Sequence, residues 1–537
     1  MMPSKLSLLK VWILITVLGA GLWSLSSCQK IKQPSMIIIA VDRLSFNSFS
    51  CSDDKQNAKS GLNLLCKEAI RFTHAYTTSI QPAAAMASLL TGLYPIQHQL
   101  HRSFDHLQPK TLMIQEKALR LGYRTYFFGG GPSILKKTGL SIGFDIFDDL
   151  SFLEKKTYFL DFKHQTEKFL NVIQNDAEPF FSVLYNSELE SPNEGETEVS
   201  SLERLDEKFF NFFTELKTKK LWDENYVVVM GLQGDSDATR LSETPFSNLN
   251  SENTMITLFV KPPRSKGDEG ISWKVDSPIN TADLGLSLWS TLTGHENAPQ
   301  NLRLSSQLHS VNNSLEAYFP LIDFSGIWLT KNQSLLTPSR KILIEAADTW
   351  SSETFLRFSV LNKNLVYIES EKNKVYNALT DGLQSIDVSA QQKQFVHDID
   401  FLLESVRNYY KIKSWKNYKS HWDEWILTNR EYWSKPNSRN QLFKKEFERL
   451  IKKPSEANQP LTALLQRHLI KNKKINDLQA LKNLTHQNNS IPFNEKQRDA
   501  FFENAKLNSL NLALENIWGL WMPNKDWLYS DFTLENQ

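Results

Sequence analysis

The run SMIIIAVD at residues 35–42 constrains this chain more than any other stretch: unbroken apolar residues that end on a carboxylate. Successive side chains of a strand point to opposite faces, so an uninterrupted apolar run predicts a strand covered on both sides. That is the setting of a central parallel strand, and it delivers Asp42 at the strand's C-terminal end. Residues 180–185 and 226–230 read as buried strands of the same kind, and 124–128 and 255–260 as further strands. Between them, Leu62 and Leu65 give 61–69 a helical spacing, followed by an extended piece at 71–76. Residues 111–121 form an amphipathic helix closed by Gly122, 129–132 a glycine-rich turn, and 203–219 and 281–292 two more helices. Strands alternating with helices predict an α/β fold with a mostly parallel central sheet flanked by helices.

The character changes after about residue 340. Residues 341–346, 355–360 and 365–368 read as strands, with Asn362-Lys363-Asn364 as a turn. From about residue 390 the pattern is helical and polar, with Trp415, Trp422, Trp425, Trp433, Trp518, Trp521 and Trp527. The steps between the first three place them on one helix face, which reads as core packing or as a stacking surface for a carbohydrate or partner. With 537 residues, 41% of them hydrophobic, the chain can bury a large core and has room for two to four domains. The 61 basic and 60 acidic residues leave a net charge of +1, which gives no footprint for nucleic acid.

At the N-terminus, Lys5 and Lys10 precede an apolar run at 11–23 and then Leu25-Ser26-Ser27-Cys28. A charged start, a short apolar segment and small residues before a cut site describe a secretory signal. The last four residues resemble the lipobox of bacterial lipoproteins, which implies acylation of Cys28 and an N-terminal signal of residues 1–27. An uncleaved membrane anchor is the alternative, although the apolar run is short for a span of about 20 residues. Gln29 after the cysteine favours the outer membrane, facing the periplasm. Cys51 and Cys66 pair in an exporting compartment or remain two buried thiols; their spacing does not decide.

The run ASLLTGLYP at 87–95 resembles the stretch that follows the nucleophile in sulfatases and related members of the alkaline-phosphatase superfamily. LGYRT at 121–125, GLSIGFD at 139–145 and Asp148-Asp149 match that family in order and spacing, so the resemblance spans roughly residues 35–295. It implies a sulfatase-like α/β domain at 28–335, a small C-terminal β subdomain at 336–389 that packs on it, and a helical region at 390–537. In the family the nucleophile segment reads Cys/Ser/Thr-x-Pro-Ser-x. Counting back from Gly92 puts Pro82 at the nucleophile position, and pairing Pro82 with the family proline puts Ile80 there. Neither residue carries a hydroxyl or thiol, so neither attacks sulfur or phosphorus. The nearest substitutes on the same loop are Thr77, Thr78 and Ser79.

The same comparison implies a degraded cation site. Asp42 stands where the family's first metal carboxylate does, and it reads equally as a turn cap. Where relatives read Ser-Asp-His-Gly-Glu, this chain has Gly231-Leu232-Gln233-Gly234-Asp235, so a leucine and a neutral amide replace two ligands. Two histidines that relatives carry near Tyr185 and Glu190 are absent, and Glu188 and Glu190 read as an acidic solvated loop. Lys261 matches a family lysine that touches the substrate's anionic group, and otherwise reads as a solvated strand-end lysine. His98 and His101 lie near the expected mouth of the site, where a histidine can move protons near neutral pH.

The sequence therefore predicts an exported, lipid-anchored sulfatase-like protein that no longer hydrolyses sulfate or phosphate esters. It would meet the membrane through its anchor and bind an envelope glycan, a lipid head group or a protein, with no cofactor expected. The alternative is a divergent ester hydrolase or transferase that uses Ca or Mg, with a site improvised from Asp42, Asp235, Glu188 and His98. A third option makes the C-terminal helices an assembly platform.

Overall fold

The computed structural model describes residues 33–49, 51, 59–102, 105–131, 133–149, 160–174, 178–190, 198–234, 249–264, 272–294, 315–330, 340–347, 355–370, 372–378, 380–381 and 384–414. Cys28, Pro132, Asp235 and the tryptophans from Trp415 onward lie outside them, as do the side chain of Glu190 and the expected signal segment.

The apolar run forms β1 (Met36–Val41), and Asp42 follows it directly. In chain order come β2 (Ile70–Phe72), β3 (Ala75–Tyr76), β4 (Arg124–Gly129), β5 (Ile146–Asp148), β6 (Phe180–Asn186), β7 (Tyr226–Gly231), β8 (Leu258–Lys261), β9 (Trp273–Val275) and β10 (Ile279–Asn280). Eight of these make one sheet in the order β5-β4-β6-β1-β7-β8-β2-β9. β1 lies at its interior between β6 and β7, parallel to both. Within the sheet β8 alone is reversed: it pairs antiparallel with β7 and with β2. The strand expected at 255–260 therefore starts at Leu258, because Met255 and Ile256 are taken by isolated bridges to Tyr76 and Ser45.

Alternation along β1 explains why the whole run had to be apolar. Met36, Ile38 and Ala40 enter one core with the Pro82–Thr91 and Thr281–Thr293 helices. Ile37, Ile39 and Val41 enter the opposite core with the Phe162–Ile173 and Glu198–Thr218 helices. Every residue of the strand is fully buried, and each large aliphatic side chain so buried contributes about 1.5–3 kcal/mol. Helices thus cover both faces, and the C-terminal ends of β1, β6 and β7 are left as the edge at which side chains can meet.

The helix expected at 111–121 runs over Ile114–Arg120, with the Glu116 carboxylate accepting from the Met113 N–H as an N-terminal cap. Gly122 follows it at φ +87°, a left-handed conformation that glycine adopts without strain. Cys51 and Cys66 are joined as a disulfide with Cα atoms 5.9 Å apart, which resolves the pairing that spacing left open.

The second sheet contains β11 (Lys341–Ala347), β12 (Phe355–Asn362), β13 (Leu365–Ile368) and β14 (Lys374–Asn377), antiparallel in sequence order, with β15 (Lys413–Ser414) beside β12. Lys363 takes a positive φ in the expected turn between β12 and β13. The boundary placed at residue 390 falls before a helix, Lys393–Tyr410, that shares the core of this sheet through Ile399, Leu402, Leu403 and Val406. The other face of the sheet packs on Tyr76 and Ile80. Backbone bonds stitch the contact: the Glu345 N–H donates to the Thr78 carbonyl, and the Ile80 N–H to the Glu345 carbonyl.

Candidate functional site

Three strand ends and one helix start converge at the edge of the main sheet. Asp42, buried, donates its N–H to the Asn186 carbonyl at the end of β6. Leu232, just past β7, donates its N–H to the Val41 carbonyl at 2.8 Å. The loop before the Pro82–Thr91 helix closes the group: the Thr77 hydroxyl lies 2.7 Å from the Leu232 carbonyl and 2.6 Å from the Ser79 carbonyl.

Pro82 is the first residue of its helix, a position that suits a residue with no N–H, and it is buried together with every residue to Thr91. In either register of the family comparison, with Pro82 or Ile80 at the expected nucleophile position, the side chain there is buried and carries no hydroxyl or thiol. The substitutes differ among themselves. The Thr77 hydroxyl is spent on the two carbonyls, and Ser79 Oγ accepts the Gln81 N–H at 3.2 Å. Thr78 keeps a buried hydroxyl with no hydrogen-bond partner.

Asp42 Oδ2 accepts a hydrogen bond from the Tyr185 hydroxyl at 2.6 Å. Burial first, and the neighbouring Asp42 charge second, push the Tyr185 phenol well above its ordinary range, so it stays protonated and donates. The Ser133 and Ser187 hydroxyls act on the same phenol from close by. Leu232 is fully buried in the core on that side. Glu188 is engaged elsewhere: its carboxylate accepts the Phe162 N–H at 2.8 Å and pairs with Lys208 at 2.9 Å and with Arg204. Among the described residues, no three His, Cys, Asp or Glu side chains gather as a metal would require.

Two sequence expectations need correction. Lys261 does not approach the site. Because β8 is reversed, Lys261 pairs with Val227 at the opposite end of β7 from Leu232. There its amine is buried, donates to the Trp222 and Asn225 carbonyls, and lies 5.3 Å from the Trp222 ring centroid. Desolvation brings its pKa down to about 7. His98 is likewise internal. Its Nδ1 accepts from the Leu100 N–H, and its Nε2 lies 3.1 Å from Ser88 Oγ. Burial holds it well below the ordinary histidine range, so it is a neutral packing residue.

His101 has a partner that the sequence did not signal. Its Nδ1 lies 2.7 Å from Glu345 Oε1, and both residues are buried. Glu345 is the β11 residue whose backbone bonds to Thr78 and Ile80, so the pair joins the second sheet to the loop that precedes Pro82.

A family described as Sulfatase matches residues 34–294. No curated protein matches the chain. Among solved structures, the 4S-sulf protein of a Bacteroides thetaiotaomicron locus for metabolism of multiple glycosaminoglycans is similar at TM-score 0.53 and 13% identity, over 74% of this chain and 99% of that one. Ps i-CgsB in complex with k-i-k-neocarrahexaose is similar at TM-score 0.51 and 13% identity, over 71% and 93% of the two chains. The phosphonate monoester hydrolase of Agrobacterium radiobacter is similar at TM-score 0.50 and 12% identity, over 70% and 96%. At these identities the likeness is one of fold.

Proposed function

Since residues 34–294 constitute a sulfatase domain of the alkaline-phosphatase superfamily, we propose that the protein keeps the fold as a binding module and has given up ester hydrolysis. The observation that carries this reading is Pro82, buried as the first residue of its helix at the position where counting back from Gly92 puts the family nucleophile. Nucleophile, cation and leaving-group acid act as a unit, and loss of the nucleophile alone costs many orders of magnitude in rate. Here Leu232 also stands in a ligand position, and Lys261 and His98 are turned to structural tasks.

The ligand class we favour is an envelope glycan, in keeping with the glycan bound to Ps i-CgsB and the glycosaminoglycan locus of the Bacteroides relative. A lipid head group or a protein partner is the competing outcome. The anchor is Cys28, acylated at the outer membrane, with the domain in the periplasm; metabolic palmitate labelling that disappears in Cys28→Ala tests it. Turnover of aryl sulfates and phosphate monoesters, with and without calcium or magnesium, tests the main reading. No turnover beyond background is expected, and sustained turnover that Asp42→Ala abolishes would sink it.

Thr78 favours the second reading, a divergent ester hydrolase or transferase, because it is a buried hydroxyl without a partner on the loop before Pro82. Under that reading Thr78→Val would remove turnover.

A further inference from the structure

Among the described residues, those at the strand ends do not fit the divalent cation that the fold family uses. A hard dication wants several charged oxygens. Of the carboxylates described past these strands, Glu188 is committed to Phe162, Arg204 and Lys208, and Asp149, past β5, accepts the Lys136 N–H. Asp42 is engaged as well, its Oδ2 accepting a hydrogen bond from the Tyr185 hydroxyl.

We infer that the Tyr185 hydroxyl has taken over the cation's role: it neutralises the demand of Asp42 for a partner and turns a former ligand cluster into an internal anchor between β1 and β6. This rests on the reading above only for the location of the site. The sheet register explains the reach. Tyr185 pairs with Ala40 across parallel strands, and Asp42 lies two residues beyond Ala40, on the same face. The Tyr185 ring, fully buried and stacked toward Phe127 at 6.4 Å, is fixed so that its oxygen ends 2.6 Å from the carboxylate. A dication and a proton donor compete for the same lone pairs, and a hydrogen bond to an ionised acceptor is about twice as strong as a neutral one. The side of the cluster toward β7 is closed by the apolar Leu232. Ser133 and Ser187, both buried, add uncharged oxygens around the phenol, a setting that suits a hydroxyl far better than a doubly charged ion.

The test uses the full chain and two variants, Tyr185→Phe and Asp42→Asn, alone and together. Melting midpoints are measured in EDTA, in millimolar calcium or magnesium, and in sodium chloride against choline chloride, with elemental analysis of the purified protein. Wild type is expected to contain no stoichiometric divalent metal and to melt alike in all of these. Each single variant should melt a few degrees lower, and the double variant no lower than the worse single, because both remove one interaction. A stoichiometric divalent ion, an EDTA-sensitive midpoint, a sodium-dependent midpoint lost in Asp42→Asn, or additive losses would overturn the proposal. Should Asp42→Asn fail to fold, an unchanged midpoint in Tyr185→Phe overturns it alone. Turnover without cation dependence would sink the proposed binding role and leave this inference standing. A bound dication would sink the inference whatever the turnover.

Discussion

Replacing His101 by alanine should be a strongly damaging single change, because it breaks a buried pair that joins the second sheet to the loop before Pro82. The pair with Glu345 is nearly dry, with 9% of the histidine side chain and 2% of the glutamate exposed. Removing one partner of a buried pair leaves an uncompensated charge and costs about 3–5 kcal/mol. At roughly 2–4 °C per kcal/mol, the slope for domains of 150–250 residues, His101→Ala should lower the melting midpoint by on the order of 10 °C. The sign of the pH dependence follows from both shifts. Glu345 holds the His101 pKa up against the opposing effect of burial, and burial raises that of Glu345. A group whose pKa is raised by folding stabilises fully below its unfolded value and loses that contribution as pH rises through its folded value. The carboxyl window therefore opens above about 4.5 and the imidazole window above about 6.5. Arg102 and Asp105 act on His101 from its own loop, and His98 faces it from the preceding turn, so all three must be kept. Thermal melts between pH 5 and 9, with Glu345→Gln and the double variant, complete the assay. The margin by which wild type exceeds the double variant should shrink as pH rises across that range, because Lys261 and every other titrating group are common to both. If His101→Ala melts within about 1 kcal/mol of wild type, the pair contributes no more than a surface contact and the reasoning fails.

Lys261→Met should be neutral or stabilising near pH 7. The lysine's depressed pKa means that wild type gains stability as pH climbs from about 7 toward 10.5, and the variant should flatten that slope in denaturant titrations. Breaking the Cys51–Cys66 bond by Cys51→Ser should cost about 3 kcal/mol, the chain-entropy value for a loop of 15 residues, read as a lower urea midpoint. Gly231→Ala should cost about 1–3 kcal/mol or more, since the added methyl would stand 2.3 Å from the Leu44 carbonyl oxygen; a midpoint equal to wild type would contradict that contact.

Local pattern made β1, β4, β6 and β7 readable, because each is an apolar run long enough to show that both faces are covered. β3, β5, β9 and β10 are two or three residues long, too short for any period to show. The Phe162–Ile173 helix was missed although Phe162, Phe169 and Ile173 mark one buried face, since Lys163, His164, Glu167 and Lys168 dilute the run. The reversal of β8 could not be read at all: direction is set by pairing, and that alone moved Lys261 away from the site. Pro82 and Leu232 were legible as apolar identities at positions where the family resemblance implies a nucleophile and a ligand, and the structure shows both buried. The partners of Asp42 and His101 were not, because Tyr185 is 143 residues from the one and Glu345 is 244 from the other.

The seam between the two sheets also decides where this molecule can be cut. A truncation that keeps only residues 34–294 would strip the Thr78 carbonyl and the Ile80 amide of their bonds to Glu345, uncover Tyr76, and deprive Asp283 of the guanidinium of Arg340. The span that the family model matches thus ends short of the partners that its own buried groups use. A fragment that carries the second sheet is therefore expected to melt higher than one that stops at residue 294.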